Sequence, residues 1–345
     1  MKFVEAFPSA MFRLFIIFLL LANFCFGQKK INYSGIDWSM RNMEAPSIDS
    51  LAKKITSSYQ TDIEKTRAIF SWIAQNISYN TGIYNAGRGY HPVKFVLDPD
   101  DTVSSKSAIE QTAERVFKRR IAVCDGYAKL FKTLCDYTGV ESELVMGYGK
   151  CYLEKDVKFR TNHTWNAVKI DSNWYLLDVT WASGFVSFSN EFVHRLDDAY
   201  FLTPPQQFIL DHYPEDLKWT LLERPPTMRE FHFSPFKYKS FIKYGITLAS
   251  QPNGTIEAFI GDTIHIELKL KDAVKDSLIA PDPFFDSTII QLSPASVFLA
   301  PIVTNNKAIY TFVVQTNDVE WIHLLYNEDP VLRYKLIVKS REFTR

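Results

Sequence analysis

The sequence predicts a mixed α+β domain followed by an all-β domain, and three observations carry that expectation. Apolar residues recur at helical spacing between residues 47 and 139. Strand-like runs joined by short turns follow between 142 and 179. Beyond Arg224-Pro225-Pro226 the chain breaks into short alternating runs separated by Pro, Gly and Asn, as in a β-sandwich. With 345 residues the chain is about twice the commonest domain size, so two units are the natural division. The expected spans are 46–225 and 226–345.

Taken in order, the first element is a targeting signal. Lys2 and Arg13 precede the apolar run Leu14–Ala22. That run is shorter than the about 20 residues a spanning helix needs and fits the apolar region of a signal peptide. Cleavage is expected after Gly27, giving a secreted or periplasmic chain with no membrane span and an N-terminal arm over 28–45. Ser47 then caps a helix running to about Tyr59. Thr61-Asp62-Ile63-Glu64 is a capping box opening a second helix, in which Ile63, Ile69, Phe70, Ile73 and Ile77 form an apolar stripe near Trp72. A loop is expected from about Asn80 to Lys106, and a short helix from Ala108 to about Arg119. Tyr127, Leu130, Phe131 and Leu134 mark the next helix, which starts at Cys124 and stops at Gly139. Expected strands are Ser142–Tyr148, Thr164–Ile170 and Trp174–Val179, the last two joined by a turn at Asp171-Ser172-Asn173. In the second domain they are Thr255–Phe259, Thr263–Leu270, Ile309–Val314 and Trp321–Tyr326.

Composition narrows the function. Hydrophobic content of 46% with 23% charged residues is globular rather than disordered. Lys+Arg and Asp+Glu both number 39, so the total charge carries no footprint of nucleic acid or anionic membrane. No phosphate-binding loop or metal cluster stands out, and no cofactor is expected. Signal cleavage leaves Cys124, Cys135 and Cys151, an odd number in an exported chain, so at least one thiol is free. Cys135 lies three helical turns after Cys124 on the same face and is expected to be a free, buried thiol, as is Cys151. A Cys135–Cys151 disulfide is the lesser alternative in an oxidising compartment.

A nucleophilic thiol needs a stabilised thiolate, a base beside it and a group that orients the base. Cys124 at a helix start meets the first condition, because the helix dipole and free N–H groups favour a negative charge. His163 at the start of one strand and Asp178 at the end of the next can meet across the hairpin as base and orienter. Taken singly, each has a plain packing explanation: a core thiol, a satisfied strand histidine, a turn cap. Trp165 and Trp181 flank the set as candidate cleft walls, with core packing an equal reading. Asn166 is a candidate for positioning the cleft loops.

Val123-Cys124-Asp125-Gly126-Tyr127-Ala128, His163-Thr164-Trp165-Asn166 and Leu177-Asp178-Val179-Thr180-Trp181 resemble the three motif blocks of the transglutaminase-like superfamily, in the family's order. Tyr200–Pro205, His212–Asp216 and Trp219 resemble the kyphoscoliosis peptidase subgroup, and the likeness covers roughly residues 45–250. The resemblance implies a papain-like α+β core, helices packed on an antiparallel sheet. It also implies a Cys124 nucleophile, a His163 general base and acid, and an Asp178 orienter acting on protein or peptide substrates, cell-envelope proteins among them. Hydrolysis and transfer to an amine both fit such a triad. The competing class is a binding or scaffold module that keeps the fold, favoured if Cys124 is fully buried or His163 points away from it.

Overall fold

The structure, a computed structural model, describes residues 32–82, 106–150, 161–187, 189, 191–270 and 295–340. The segment expected to be a signal peptide, most of the loop expected between 80 and 106, and Cys151 lie outside the described residues.

Five helices make the first layer: α1 (Ser34–Arg41), α2 (Ile48–Ser58), α3 (Asp62–Asn76), α4 (Ala108–Arg119) and α5 (Cys124–Thr138). Their starts are chemically defined. Ser47 accepts a hydrogen bond from Ser50 N, while Thr61 with Glu64 and Ser107 with Glu110 form reciprocal capping boxes. Each such cap is worth about 1 kcal/mol. Where an arm was expected over 28–45, α1 instead joins the first core: Met40 is buried there, and Asp37 grips the buried Arg67 of α3 with bonds of 2.8 and 2.6 Å. Met40 is the only buried residue of α1, so no apolar stripe announced it. An ion pair, together with hydrogen bonds from Gln75 and Asn76 to the α1 backbone, anchors the helix and leaves no periodic trace.

The central helix is α5, buried along most of its length. It sits close to α4 because Gly126 has no side chain: a Cβ there would stand 2.8 Å from Ala122 Cβ and 2.9 Å from Val116 Cγ2. Gly139 ends the helix at φ +77°. Just before α5, β1 (Ser78–Tyr79) pairs in parallel with β2 (Ile121–Ala122).

The sheet beneath consists of β3 (Ser142–Gly149), β4 (His163–Ile170), β5 (Asn173–Leu177) and, beyond the small hairpin β6 (Gly184–Val186) and β7 (Phe192–His194), β8 (His212–Pro214). Their order is β5-β4-β3-β8, antiparallel throughout. Ile170 pairs with Asn173, so the β4–β5 turn has two residues, Asp171 and Ser172, at φ +48° and +65°. This is a tight turn whose twist suits a hairpin. The third expected strand ends at Leu177 rather than Val179, because a short helix, α6 (Val179–Ala182), begins there. A further short helix, α7 (Pro205–Phe208), precedes β8.

After α8 (Met228–Phe233), β9 (Phe236–Lys237) and α9 (Lys239–Lys243), the remaining elements are strands: β10 (Ile246–Ala249), β11 (Thr255–Phe259), β12 (Thr263–Leu270), β13 (Ser296–Leu299), β14 (Ile302–Thr304), β15 (Lys307–Val313), β16 (Trp321–Tyr326) and β17 (Asp329–Lys339). They form two sheets, β10-β12-β15-β14 and β11-β17-β16-β13, with β9 added to β17. Leu268, Tyr310, Leu324 and Tyr334 are among the side chains of a second core. The β11–β17 and β13–β16 pairs are parallel. The chain is thus α+β followed by all-β. The junction is docked rather than free: Phe231 packs against Tyr148 and Tyr213, and Lys150 Nζ donates to Phe231 O (3.0 Å) and Ser234 O (2.6 Å).

Candidate active site

Cys124 is the first residue of α5, following Val123, an N-cap that offers no capping side chain. Two bonds hold the helix in place: Tyr127 Oη donates to Ile77 O (2.6 Å) and Asn166 Nδ2 to Ala128 O (3.1 Å). The thiol is a hydrogen-bond partner of the His163 ring. Antiparallel pairing of β4 with β3, Gly147 opposite His163, puts that ring at the sheet end where α5 begins.

Asp178 serves two roles at once. Its Oδ1 accepts from the backbone N–H groups of Thr180 (2.8 Å) and Trp181 (3.1 Å), which makes it the N-cap of α6. Its Oδ2 accepts from His163 Nε2 at 2.6 Å. That bond consumes Nε2 and leaves Nδ1 as the ring nitrogen for Cys124. One carboxylate thus both caps α6 and accepts from the His163 ring.

Burial works against charge on His163, but the Asp178 carboxylate and the Cys124 side chain outweigh it and raise its pKa to about 10. Asp178 is likewise penalised by burial, yet the His163 charge and the donors of His163 and His212 hold it well below the usual carboxylate range. The pair is an imidazolium–carboxylate ion pair over the ordinary pH range. Cys124 keeps 4% of its surface exposed and His163 6%, so the thiol is neither sealed nor set in an open trough.

One member of the cluster, His212, stood on the sequence only within the block His212–Asp216 and was given no role there. His212 of β8 donates from Nε2 to Asp178 Oδ2 (2.9 Å), and its Nδ1 lies 2.6 Å from Asp211 Oδ1. Tyr200 Oη donates to Asp211 Oδ2 at 3.2 Å, extending the chain of polar contacts. The sequence signal was slight, a histidine beside an aspartate in a short apolar run. The contact itself depends on β8 crossing β3 at Gly147, where any Cβ would run into Tyr213 O and the Trp165 ring. Ligand atoms of His163, Asp178 and His212 lie within 4.8 Å of one another, a spacing metals also use. Here both Nε2 atoms point at the same carboxylate oxygen at hydrogen-bond length, so the cluster is a donor–acceptor network.

The three expected cleft residues divide. Trp181 is partly exposed and its ring lies 5.2 Å from that of His163, as a wall would. Trp165 is buried in the first core, its ring 5.8 Å from that of Phe208 and 6.0 Å from that of His163. Asn166 is buried too; besides Ala128 it donates to Glu143 O (3.3 Å), so it fastens α5 to the sheet instead of shaping loops. Cys135 is free and buried as expected, and burial pushes its thiol pKa up, so it is a poor competitor for electrophiles.

The family model described as Transglutaminase-like superfamily matches residues 49–179. Kyphoscoliosis peptidase of Homo sapiens is 30% identical over 225 residues, covering 64% of this chain and 31% of that protein. Hillarin of Drosophila melanogaster is 29% identical over 240 residues, 65% of this chain and 27% of that one. The chain spans about a third of the length of these curated relatives. A solved TGase structure aligns at 14% identity over 55% of this chain and 42% of its own, with a TM-score of 0.28.

Proposed function

Because residues 49–179 of this chain are a domain of the Transglutaminase-like superfamily, we propose that the protein is a thiol-dependent acyl-transfer enzyme acting on protein or peptide substrates. The observation that carries the reading is the line Cys124–His163–Asp178, with the imidazole held between thiol and carboxylate. In the reaction, the Cys124 thiolate attacks a carbonyl carbon and the Cys124 backbone N–H at the α5 terminus receives the developing oxyanion. His163, protonated, gives its proton to the departing amine, leaving a thioester on Cys124. Water or a second amine then attacks, His163 takes the incoming proton, and the thiolate is released. Water makes the enzyme a peptidase or amidase, and an amine makes it a protein-glutamine transferase. Cell-envelope proteins are the substrate class that export after Gly27 would bring within reach. N-terminal sequencing of protein from its native host tests export, with Gln28 as the expected first residue.

The test of the chemistry is iodoacetamide labelling at mildly acidic pH, where ordinary thiols are protonated and slow. Wild-type Cys124 should label readily, Cys124→Ala not at all at that peptide, and His163→Ala roughly a hundredfold more slowly. Equal, slow labelling of wild type and His163→Ala would sink the proposal. The near-complete burial of Cys124 favours a second reading, a binding module that keeps the fold without turnover. A folded wild-type protein whose Cys124 resists every small electrophile is what that reading expects.

A further inference from the structure

A Cys-His-Asp set does not require His212, yet this residue is completely buried with both ring nitrogens against carboxylate oxygens, 2.9 Å from Asp178 and 2.6 Å from Asp211. A neutral imidazole has one N–H and one lone pair. Whichever tautomer is chosen, a lone pair would then face a carboxylate at hydrogen-bond distance, which is repulsive. A ring carrying a proton on each nitrogen donates to both. Aromatic rings close over it: Phe208 stacks at 4.1 Å and 25°, and Trp181 lies 4.4 Å away.

We infer that His212 is a buried cation that positions Asp178 and biases the neighbouring Cys124–His163 pair toward its ionised form. The inference rests on the acyl-transfer reading. Asp178 Oδ2 is shared between two histidine donors, so its direction is fixed from both sides while Oδ1 stays pinned to the backbone. The His212 and His163 rings are 5.4 Å apart, so the His212 charge is felt at the reacting pair. The titratable and charged groups around His212 are Asp178 at the α6 cap, Asp211 beside it, His163 of β4, Tyr200, whose hydroxyl donates to Asp211, and Lys239 of α9, whose Nζ lies 4.3 Å from the Tyr200 ring. Burial opposes charge on His212, but Asp211 and Asp178 outweigh it and raise its pKa above the ordinary imidazole value. Removing this cation makes each neighbouring acid hold its proton more tightly.

The test follows iodoacetamide labelling of the Cys124 peptide against pH in the full chain, for wild type, His212→Phe and His212→Gln, with thermal unfolding measured alongside. Phenylalanine keeps a flat ring over Phe208 but removes charge and donors. Glutamine keeps a donor near the Nε2 position without the charge. Both variants should show the acid limb of the profile moved up by about one pH unit, hence about tenfold slower labelling at mildly acidic pH, with wild-type rates at alkaline pH. A purely structural role would lower the melting temperature and leave the limb in place, and that result in folded variants overturns the inference. If His212→Phe does not fold, His212→Gln decides by the same limb. A wild-type thiol with no reactivity at acidic pH defeats the acyl-transfer reading instead, and the inference with it.

Discussion

At the scale of the residue, the ion pair between His163 and Asp178 gives stability a definite pH dependence. His163 has its pKa raised in the fold, so its contribution is fully present below the ordinary imidazole value of about 6.5 and is lost as pH climbs to about 10. Asp178 has its pKa lowered, so its contribution is present above the ordinary carboxylate value of about 4 and fades as pH falls below that. Both describe one pair seen from its two ends. Melting temperature should therefore peak near pH 5–6 and decline toward pH 10, and His163→Gln should flatten the alkaline decline. An unchanged alkaline slope in that variant would show that the pair contributes nothing to the fold. Cys124, His163 and Asp178 were legible in the sequence because each sits beside a local marker: a helix start, a strand start, a turn. His212 was legible only as part of the block His212–Asp216, without a role, since what makes it matter is a carboxylate 34 positions earlier in the chain.

Elements were legible wherever the pattern was periodic or a cap was present. The bounds of β11, β12 and β16 coincide with the runs that announced them; in β11 and β12 alternation directly records one buried face. What escaped was held by long-range contacts: α1 through Arg67, Gln75 and Asn76 of α3, and β8 through its pairing with β3 at Gly147–Gly149. The β4–β5 turn gives a test at this scale. Ser172 adopts φ +65°, a left-handed conformation that favours glycine. Ser172→Gly should stabilise the hairpin that carries His163 and Asp178 by roughly 0.5–1 kcal/mol in chemical denaturation, without altering thiol labelling. A destabilised variant would mean that the serine side chain matters more to the turn than its backbone strain.

At the scale of the whole molecule, the Pro225-Pro226 break predicts a boundary between two folded units, and just beyond it Phe231, almost fully buried, docks the following segment on the first domain's sheet. Limited proteolysis should accordingly spare residues 223–237 in the wild type. Phe231→Ala should open that stretch to cleavage and cost about 3 kcal/mol. Rapid wild-type cleavage there would show that the docking is too weak to matter. The same long reach of the chain governs when the site exists at all. His163, Asp178 and His212 all follow Cys124, so the cysteine is synthesised before the residues that surround it in the fold. On the proposed acyl-transfer reading, the thiol gains its imidazole partner only once β4 has paired with β3, so a nascent chain would carry no armed nucleophile to turn on itself or its neighbours.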